Sequence, residues 1–209
     1  LRMGVQERRE REREARRGAV LDATRAILLE KGFRGTTTKG IAERCELSEA
    51  TLFFYFNNKD EILVSLLFES IQFWAAGLDK IARSSVGAEK KLDLIWRFHE
   101  KVNDEHPEYY VMSAYLAQPN ALEGVSEEIK ERIVQQSGDN FQRLASLLEE
   151  TTGQADGRHM ADTMWATFLG LMVLREFRVN LGHGDVRNKR QDRITAFEWL
   201  KDGFLKTNE

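Results

Sequence analysis

The stretch Thr36–Lys59, TTTKGIAERCELSEATLFFYFNNK, decides the fold predicted for this chain. Thr37 and Ser48 are each good N-caps, and they predict two short helices that end near residues 44 and 56. Only three or four residues separate these helices. Because such a short pair cannot bury a core alone, a third helix must pack across it.

Ala42 and Leu52 indicate a helix-turn-helix, because they have the spacing at which its two helices meet. The small Ala42 permits close approach of the helices, and the aliphatic Leu52 fills the corner between them. The preceding helix, over about 17–31, supplies the third element. It presents Val20, Ala23, Ile27 and Leu28 on one face, and Gly32 follows as a left-handed C-cap. We therefore expect the second short helix to lie in a DNA major groove, with its N-terminal residues toward the base edges.

The composition is that of a folded protein. The 209 residues include 42% hydrophobic and 31% charged side chains, with a formal net charge of −3, which excludes the apolar-poor composition of a disordered chain. No stretch reaches the roughly 20 apolar residues of a membrane span, and we expect no signal sequence. The lone Cys45 excludes an intramolecular disulfide framework, so we expect a cytoplasmic protein with no membrane partner.

Two prolines and repeated i, i+3, i+4 apolar spacing predict an all-α chain of about nine helices without a sheet. A long helix follows the quoted stretch, over about 59–83. Five more are predicted over about 87–104, 107–118, 126–151, 158–181 and 190–206. The breaks between them are at His106-Pro107, Pro119-Asn120, Thr152-Gly153 and Gly182-His183-Gly184.

An Arg/Glu-rich extension precedes this fold. Residues 2–17 read RMGVQERREREREARR, and residues 1–60 hold 13 basic against 10 acidic side chains, whereas the rest of the chain is acidic. Such a run forms i, i+4 charge pairs on a solvated helix or stays disordered. The alternative is a basic arm that reaches DNA.

The quoted stretch resembles the tetracycline-repressor-like (TetR/AcrR) family of transcription regulators over about 20–67. The resemblance is carried by Gly32-Phe33, Thr37, Ile41-Ala42, Leu47-Ser48, Thr51-Leu52, Tyr55-Phe56 and Lys59. Farther along, ATFLGL at Ala166–Leu171 is similar to the family's dimer-helix region. The resemblance implies a charged extension over 1–16, a helix-turn-helix DNA-binding head over 17–58, and a helical effector-binding and dimerisation domain over 59–209.

The resemblance also implies a set of DNA-binding residues. Hydroxyls, an ammonium group and helix N-terminal amides are the groups that hold phosphate oxygens. Lys39 is placed to reach a base edge or a phosphate, and Lys59 sits near the backbone at the start of the long helix. The whole set comprises Thr37, Thr38, Lys39, Ser48, Glu49, Ala50, Thr51, Phe53, Phe54, Tyr55 and Lys59.

Four positions depart from the family's pattern. Glu46 stands where glycine is usual, and a left-handed conformation there costs a glutamate about 1 kcal/mol. Gly40 replaces an acidic residue and so removes half of a capping box. Phe53 replaces a tyrosine and loses a hydroxyl. Glu49 repels phosphate, but its carboxylate is able to accept a hydrogen bond from cytosine N4.

Structural roles remain open for several of these residues. Phe56 and Phe53 are favoured as core, whereas Tyr55 is favoured as a phosphate contact because a buried tyrosine needs a partner for its hydroxyl. Thr37 and Ser48 are caps with or without DNA contact. Lys59 is either a solvated lysine or a phosphate ligand, and its unfavourable position at a helix N-terminus supports the second.

In the C-terminal body, the resemblance implies an effector pocket, and the many aromatic side chains suggest a largely apolar, aromatic or acyl ligand. For each candidate the alternative is plain core packing. The candidates are Trp96, His99, Tyr110, Met112, Tyr115, Trp165 and Phe168.

The last two helices are apolar on more than one face, which predicts either a buried helix pair or a two-fold, four-helix dimer interface. We favour the dimer, because Gly170 permits close helix approach and dimeric readers bind two half-sites. The apolar residues are Met160, Met164, Phe168, Leu171 and Leu174, then Ile194, Phe197, Leu200 and Phe204.

No residue set supports catalysis. His99-Glu100 and His106 share a helix face, but they lack both the HExxH spacing and a third ligand. The chain carries no P-loop and no dinucleotide fingerprint. We therefore expect no enzyme activity, no metal and no cofactor.

The predicted function is a homodimeric regulator, a repressor released from a palindromic DNA operator by a small apolar effector. The effector would change the separation of the two heads through the long helix from Lys59. The alternative is a helical protein-interaction module whose degenerate helix-turn-helix no longer reads DNA.

Overall fold

The computed structural model describes residues 4–117, 121–182 and 189–206, and within them all regular structure is α-helical. This confirms the predicted all-α fold. The nine helices of these residues are α1 Val5–Gly35, α2 Thr38–Arg44, α3 Glu49–Tyr55, α4 Lys59–Ala82, α5 Ala88–Glu105, α6 Pro107–Leu116, α7 Glu127–Thr152, α8 Gly157–Asn180 and α9 Lys189–Leu205. The predicted breaks at Pro119-Asn120 and His183-Gly184 lie outside the described residues.

The first helix is longer than predicted, because the Arg/Glu-rich extension and the predicted helix over 17–31 form one continuous α1. The N–H of Gly4 donates to the Glu7 carboxylate at 3.0 Å and so satisfies one amide at the helix start. Gly32 has the predicted positive φ, at 64°. The helix does not end there, however: it kinks at Gly32 and continues for one further turn to Gly35.

The N-terminal core is built where α1 packs across α2 and α3. Val20 and Ile27 of α1 meet Ala42 of α2 and Leu52 of α3, and all four are buried. The N–H of Leu47 donates to the carbonyl of Ala42 at 2.9 Å and closes the turn between the two short helices. The predicted helix-turn-helix elbow at Ala42 and Leu52 is confirmed.

The chain divides into two units. One comprises the chain through Ser70 together with His106–Ile133, and the other comprises Ile71–Glu105 together with the chain from Val134 onward. Among the described helices, α4 is long and apolar enough, by length and composition alone, to cross a membrane. Its apolar residues include Ile62, Leu63 and Leu66, which are buried, as expected for the core helix of a folded protein.

Candidate functional site

The exposed edge of the first unit is formed by the N-termini of α2 and α3. The Thr37 hydroxyl accepts a hydrogen bond from the N–H of Gly40 at 3.1 Å, and the Ser48 hydroxyl accepts one from the N–H of Thr51 at 3.1 Å. Both residues are the N-caps that the sequence predicts. Each cap fixes the direction of a short helix whose remaining N-terminal amides point outward.

A side-chain hydrogen bond links these two helix starts. The Thr38 hydroxyl donates to the Glu49 carboxylate at 2.7 Å. Glu49 therefore serves as an acceptor within the protein, a role that the sequence did not reveal because the two residues lie in different helices. Lys39 is exposed, and its Nζ lies 4.0 Å from a carboxylate oxygen of Glu43, a distance at which an exposed pair contributes little.

The aromatic residues of α3 divide between surface and core. Phe56 is buried, as predicted, at 1% exposure. Phe53 is 45% exposed and Phe54 is 74% exposed, so the prediction that Phe53 belongs to the core is wrong. The physical reason is that Leu52 takes the inward position of α3, and the next residue lies about 100° around the helix. Tyr55 is half-buried against the core, and its ring contacts Phe54 edge-to-face.

Glu46 adopts the left-handed conformation predicted for its position, with φ 56°. Among the described residues it is the one non-glycine residue with a positive φ. The turn between α2 and α3 therefore has a conformation that glycine adopts without a steric penalty.

Arg17 fastens α1 to the end of α3. Its guanidinium donates to the backbone carbonyl of Tyr55 and lies 4.0 Å from the centre of the Phe56 ring. It also approaches a carboxylate oxygen of Glu61 at 3.6 Å. Lys59 begins α4 in this same region, partly buried. The phosphate contact implied for Lys59 stays a prediction.

A second ionic cluster joins α1, α4 and α6. The Arg25 guanidinium lies 2.5 Å from Glu69 of α4 and 3.0 Å from Glu108 of α6, a carboxylate that is only 2% exposed. Burial lowers the pKa of Arg25, but the carboxylates of Glu69, Asp22 and Glu108 outweigh that effect and raise the pKa overall. No signal in the sequence predicts this cluster, because a lone charge in each of three helices leaves no periodic pattern.

Of the seven effector candidates, four lie in the second unit. Trp96, His99 and Phe168 are buried there, and Trp165 is half-buried. His99 contacts the rings of Trp74, Trp165 and Phe168, with centroids 4.7, 5.9 and 5.3 Å away. Burial lowers the pKa of His99 to about 3, so the imidazole is neutral at physiological pH.

The other three candidates, Tyr110, Met112 and Tyr115, belong to the first unit. Met112 and Tyr115 of α6 line a narrow crevice. The Tyr115 hydroxyl donates a hydrogen bond to the carbonyl of Ala121, and the Tyr115 ring stacks on that of Phe33 of α1, with ring centroids 4.3 Å apart. Tyr110 is buried at 2% exposure. The remaining wall of the crevice is formed by Asp60, Leu63, Val64, Leu67, Leu116, Ala121, Leu122 and Val125.

The last two helices expose a different set of apolar residues from the one expected. Met160, Met164, Phe168, Phe197 and Phe204 are buried within their own chain, because α8 and α9 pack on each other and use these side chains as core. Leu174 and Ile194 remain 43% and 38% exposed, while Leu171 and Leu200 are half-buried. Other exposed apolar side chains on these helices include Val173 at 58%, Phe177 at 59% and Trp199 at 75%.

Comparison with known proteins identifies relatives of the N-terminal region. Residues 20–66 match the family model described as bacterial regulatory proteins, tetR family. A 48-residue segment is 50% identical to the uncharacterized HTH-type transcriptional regulator YvkB of Bacillus subtilis (strain 168), and it covers 23% of this chain and 25% of that protein. The chain thus spans only about a quarter of the length of this relative.

Two solved structures share the fold over nearly the whole chain. The ketosteroid transcriptional regulator KstR2 of Mycobacterium tuberculosis is similar with a TM-score of 0.70 and 19% identity, over 92% of this chain and 96% of that one. The transcriptional regulator FadR of Bacillus subtilis, in complex with stearoyl-CoA, is similar with a TM-score of 0.63 and 19% identity, over 90% and 97%.

Proposed function

Because the chain belongs to the tetR family of bacterial regulatory proteins, we propose that it is a cytoplasmic, non-catalytic, homodimeric repressor that leaves a palindromic DNA operator when a small apolar effector binds. The observation that carries this proposal is the exposed edge of α2 and α3, with both N-caps formed and Lys39 and Thr51 exposed beside them. Outward-pointing helix N-termini of this kind favour phosphate oxygens.

The proposed DNA-binding surface extends over both short helices and the start of α4. Thr37, Thr38 and Lys39 contact the sugar–phosphate backbone from α2, while Ala50 and Thr51 lead α3 into the major groove. Phe53 and Phe54 are exposed on α3, and large exposed aromatics are costly unless a partner covers them. The full proposed set is Thr37, Thr38, Lys39, Ser48, Glu49, Ala50, Thr51, Phe53, Phe54, Tyr55 and Lys59.

DNA binding is tested by selecting genomic fragments that the purified protein retains, and then measuring affinity for the recovered site over a range of salt concentrations. Lys39→Gln is expected to weaken binding to all sequences and to reduce the salt slope by about 1 per protomer. Lys90→Gln is the matched control, since Lys90 is equally exposed and lies in the second unit. Salt-insensitive binding without a recovered palindrome would instead favour the alternative, a protein-interaction module.

Dimerisation is proposed through α8 and α9. Val173, Leu174 and Phe177 recur along one side of α8 at i, i+1 and i+4, with Gly170 one turn before them. A Cβ added at Gly170 would meet nothing within 4 Å, so space for a second helix is open there. An exposed apolar stripe beside such a glycine favours a self-complementary interface.

The crevice under α6 is proposed as the place where the effector enters. The walls of the crevice leave no space for a water-sized sphere, whereas ligand pockets begin at roughly 300 Å³, so a ligand must open the crevice by displacing α6 from α4. The same helix carries Glu108, paired with Arg25, and Tyr115, stacked on Phe33. Displacing α6 to widen the crevice therefore also displaces α1, the helix against which α2 and α3 pack.

An acyl thioester is the effector class to test first, because the fold neighbour from Bacillus subtilis was solved with stearoyl-CoA. Stearoyl-CoA is expected to release the operator, whereas coenzyme A without the acyl chain should not. Met112→Phe fills the crevice and should abolish the response while leaving DNA binding intact. Met160→Phe, a like substitution at a buried position of the second unit, is the control for general overpacking. Tight binding of stearoyl-CoA without loss of DNA affinity contradicts the coupling.

A further inference from the structure

We propose that the N-terminal part of α1 carries a row of four arginines, Arg9, Arg13, Arg16 and Arg17, of which the first three bind DNA phosphates beside the half-site occupied by α3 while Arg17 anchors the row to the core. We call these residues the arginine stripe. This inference rests on the proposed function and adds a second contact surface to it. It concerns a segment outside residues 20–66, the part that matches the family model.

The stripe exists because α1 separates its charges around the helix. At about 100° per residue, the four arginines fall within an arc of about 100°, whereas the four glutamates of the extension all lie outside it. Arg9, Arg13 and Arg16 are exposed, and none of them makes an ion pair with another residue in the described part of the chain. Arg8, on a different side, is paired with Glu12 at 2.9 Å.

The arginine stripe continues the side of α1 that packs on α2 and α3. Val20, Ala23 and Ile27 are buried on that side, and at about 100° per residue they fall in or at the edge of the same arc as the stripe. The stripe therefore overhangs the end of the three-helix core on the side where α3 lies.

Arg17 is the residue of the arginine stripe that contacts the three-helix core. It is bonded to the carbonyl of Tyr55 at the end of α3, next to Lys59 at the start of α4. The stripe is thus continuous with the proposed DNA-binding surface, and because α1 has no break at this point its direction is fixed by the core.

The length and charge of the extension suit a nucleic-acid backbone. Thirteen helical residues from Val5 to Arg17 span about 20 Å, which corresponds to the rise of about six base pairs. The guanidiniums of Arg9, Arg13 and Arg16 are exposed and make no ion pair within the described part of the chain, so they are good ligands for phosphate oxygens. The helix that presents them is already formed, so little conformational entropy is lost on binding.

The test compares two double variants with the same change in net charge. Arg9→Gln/Arg13→Gln removes two arginines from the stripe, and Arg8→Gln/Arg11→Gln removes two from the other sides of the same helix. Glutamine and arginine have similar helix propensities, so α1 is expected to stay intact in both. Affinity for the duplex recovered by genomic selection is measured against potassium chloride concentration, together with hydroxyl-radical footprints.

The stripe variant is expected to reduce the salt slope by about 0.9 for each arginine, or about 1.8 per protomer. It should also lose protection over about six base pairs while keeping the protection due to α3. The control variant should match wild type in both measurements. Equal effects of the two variants would show that only the net charge of α1 matters and would overturn the inference, while the proposed function would stand. Failure of the wild-type protein to bind any selected duplex would overturn both.

Discussion

Breaking the Arg25–Glu108 pair is the sharpest test of how α6 is held to α1. Arg25→Met leaves the Glu108 carboxylate, which is 2% exposed, without its guanidinium. Removing one partner of a buried pair typically costs about 3–5 kcal/mol, because an uncompensated charge stays in the interior. Two features reduce that value here: Arg25 is itself 25% exposed, and His106 lies 3.4 Å from the same carboxylate oxygen. We expect Arg25→Met to lower the free energy of unfolding by about 2–4 kcal/mol.

The other members of the cycle follow from the same contacts. Glu108→Met removes the buried charge but leaves Arg25 with Glu69 and Asp22, each 2.5 Å away, so it should cost about 1 kcal/mol. The double variant Arg25→Met/Glu108→Met replaces the pair by apolar groups and should lie within about 1 kcal/mol of wild type. Glu69→Gln is the control, because Glu69 is 40% exposed and its pair with Arg25 is worth at most about 1 kcal/mol.

Urea denaturation followed by circular dichroism measures these values, at one fixed protein concentration because the proposed dimerisation would contribute to apparent stability. The losses expected for the two single variants sum to about 3–5 kcal/mol, and the double variant is expected within about 1 kcal/mol of wild type, so the cycle should give a coupling free energy of at least about 2 kcal/mol between Arg25 and Glu108. Additive losses in the double variant, or an Arg25→Met loss no greater than that of Glu69→Gln, would refute the argument that the buried pair fixes α6 to α1.

Three further outcomes are expected. Because the pKa of His99 falls to about 3 in the folded protein, its contribution to stability is present above pH 6.5 and is lost as the pH falls from there toward 3. The loss should reach about 2 kcal/mol at pH 5, and His99→Phe should remove that pH dependence in urea titrations; an unchanged slope would exclude His99 as its source. Glu46→Gly should raise the free energy of unfolding by about 1 kcal/mol, since φ at Glu46 is positive, and a loss of stability would show that the turn carries no such strain. Phe177→Glu should give monomers in sedimentation experiments, whereas Val134→Glu, at a position 72% exposed on α7, should not; dimers with both variants would place the interface elsewhere.

Local signals in the sequence were enough to predict the helices and the helix-turn-helix. The caps at Thr37 and Ser48 form as predicted, because a cap depends on residues only three positions apart. The buried positions of Ala42 and Leu52 follow from apolar periodicity in two short helices. The positive φ at Glu46 was expected from the resemblance, because glycine is usual at that position of the family's pattern, and not from the glutamate itself.

Side-chain partners in other helices were not predictable, because they depend on how helices cross. Periodicity marked the apolar residues of α8 and α9, but it did not separate those that pack within the chain, such as Met164 and Phe168, from those left exposed, such as Phe177. The Thr38–Glu49 hydrogen bond and the Arg25–Glu108 pair join residues from different helices.

The sequence by itself thus determined the helices, their caps and the helix-turn-helix, since each rests on short-range backbone and periodic patterns. The tertiary structure decided which side chains from different helices meet: it joined Arg17 of α1 to the end of α3 and buried a carboxylate of α6 against α1. Those contacts arise from the free energy of packing distant segments, which no local pattern encodes.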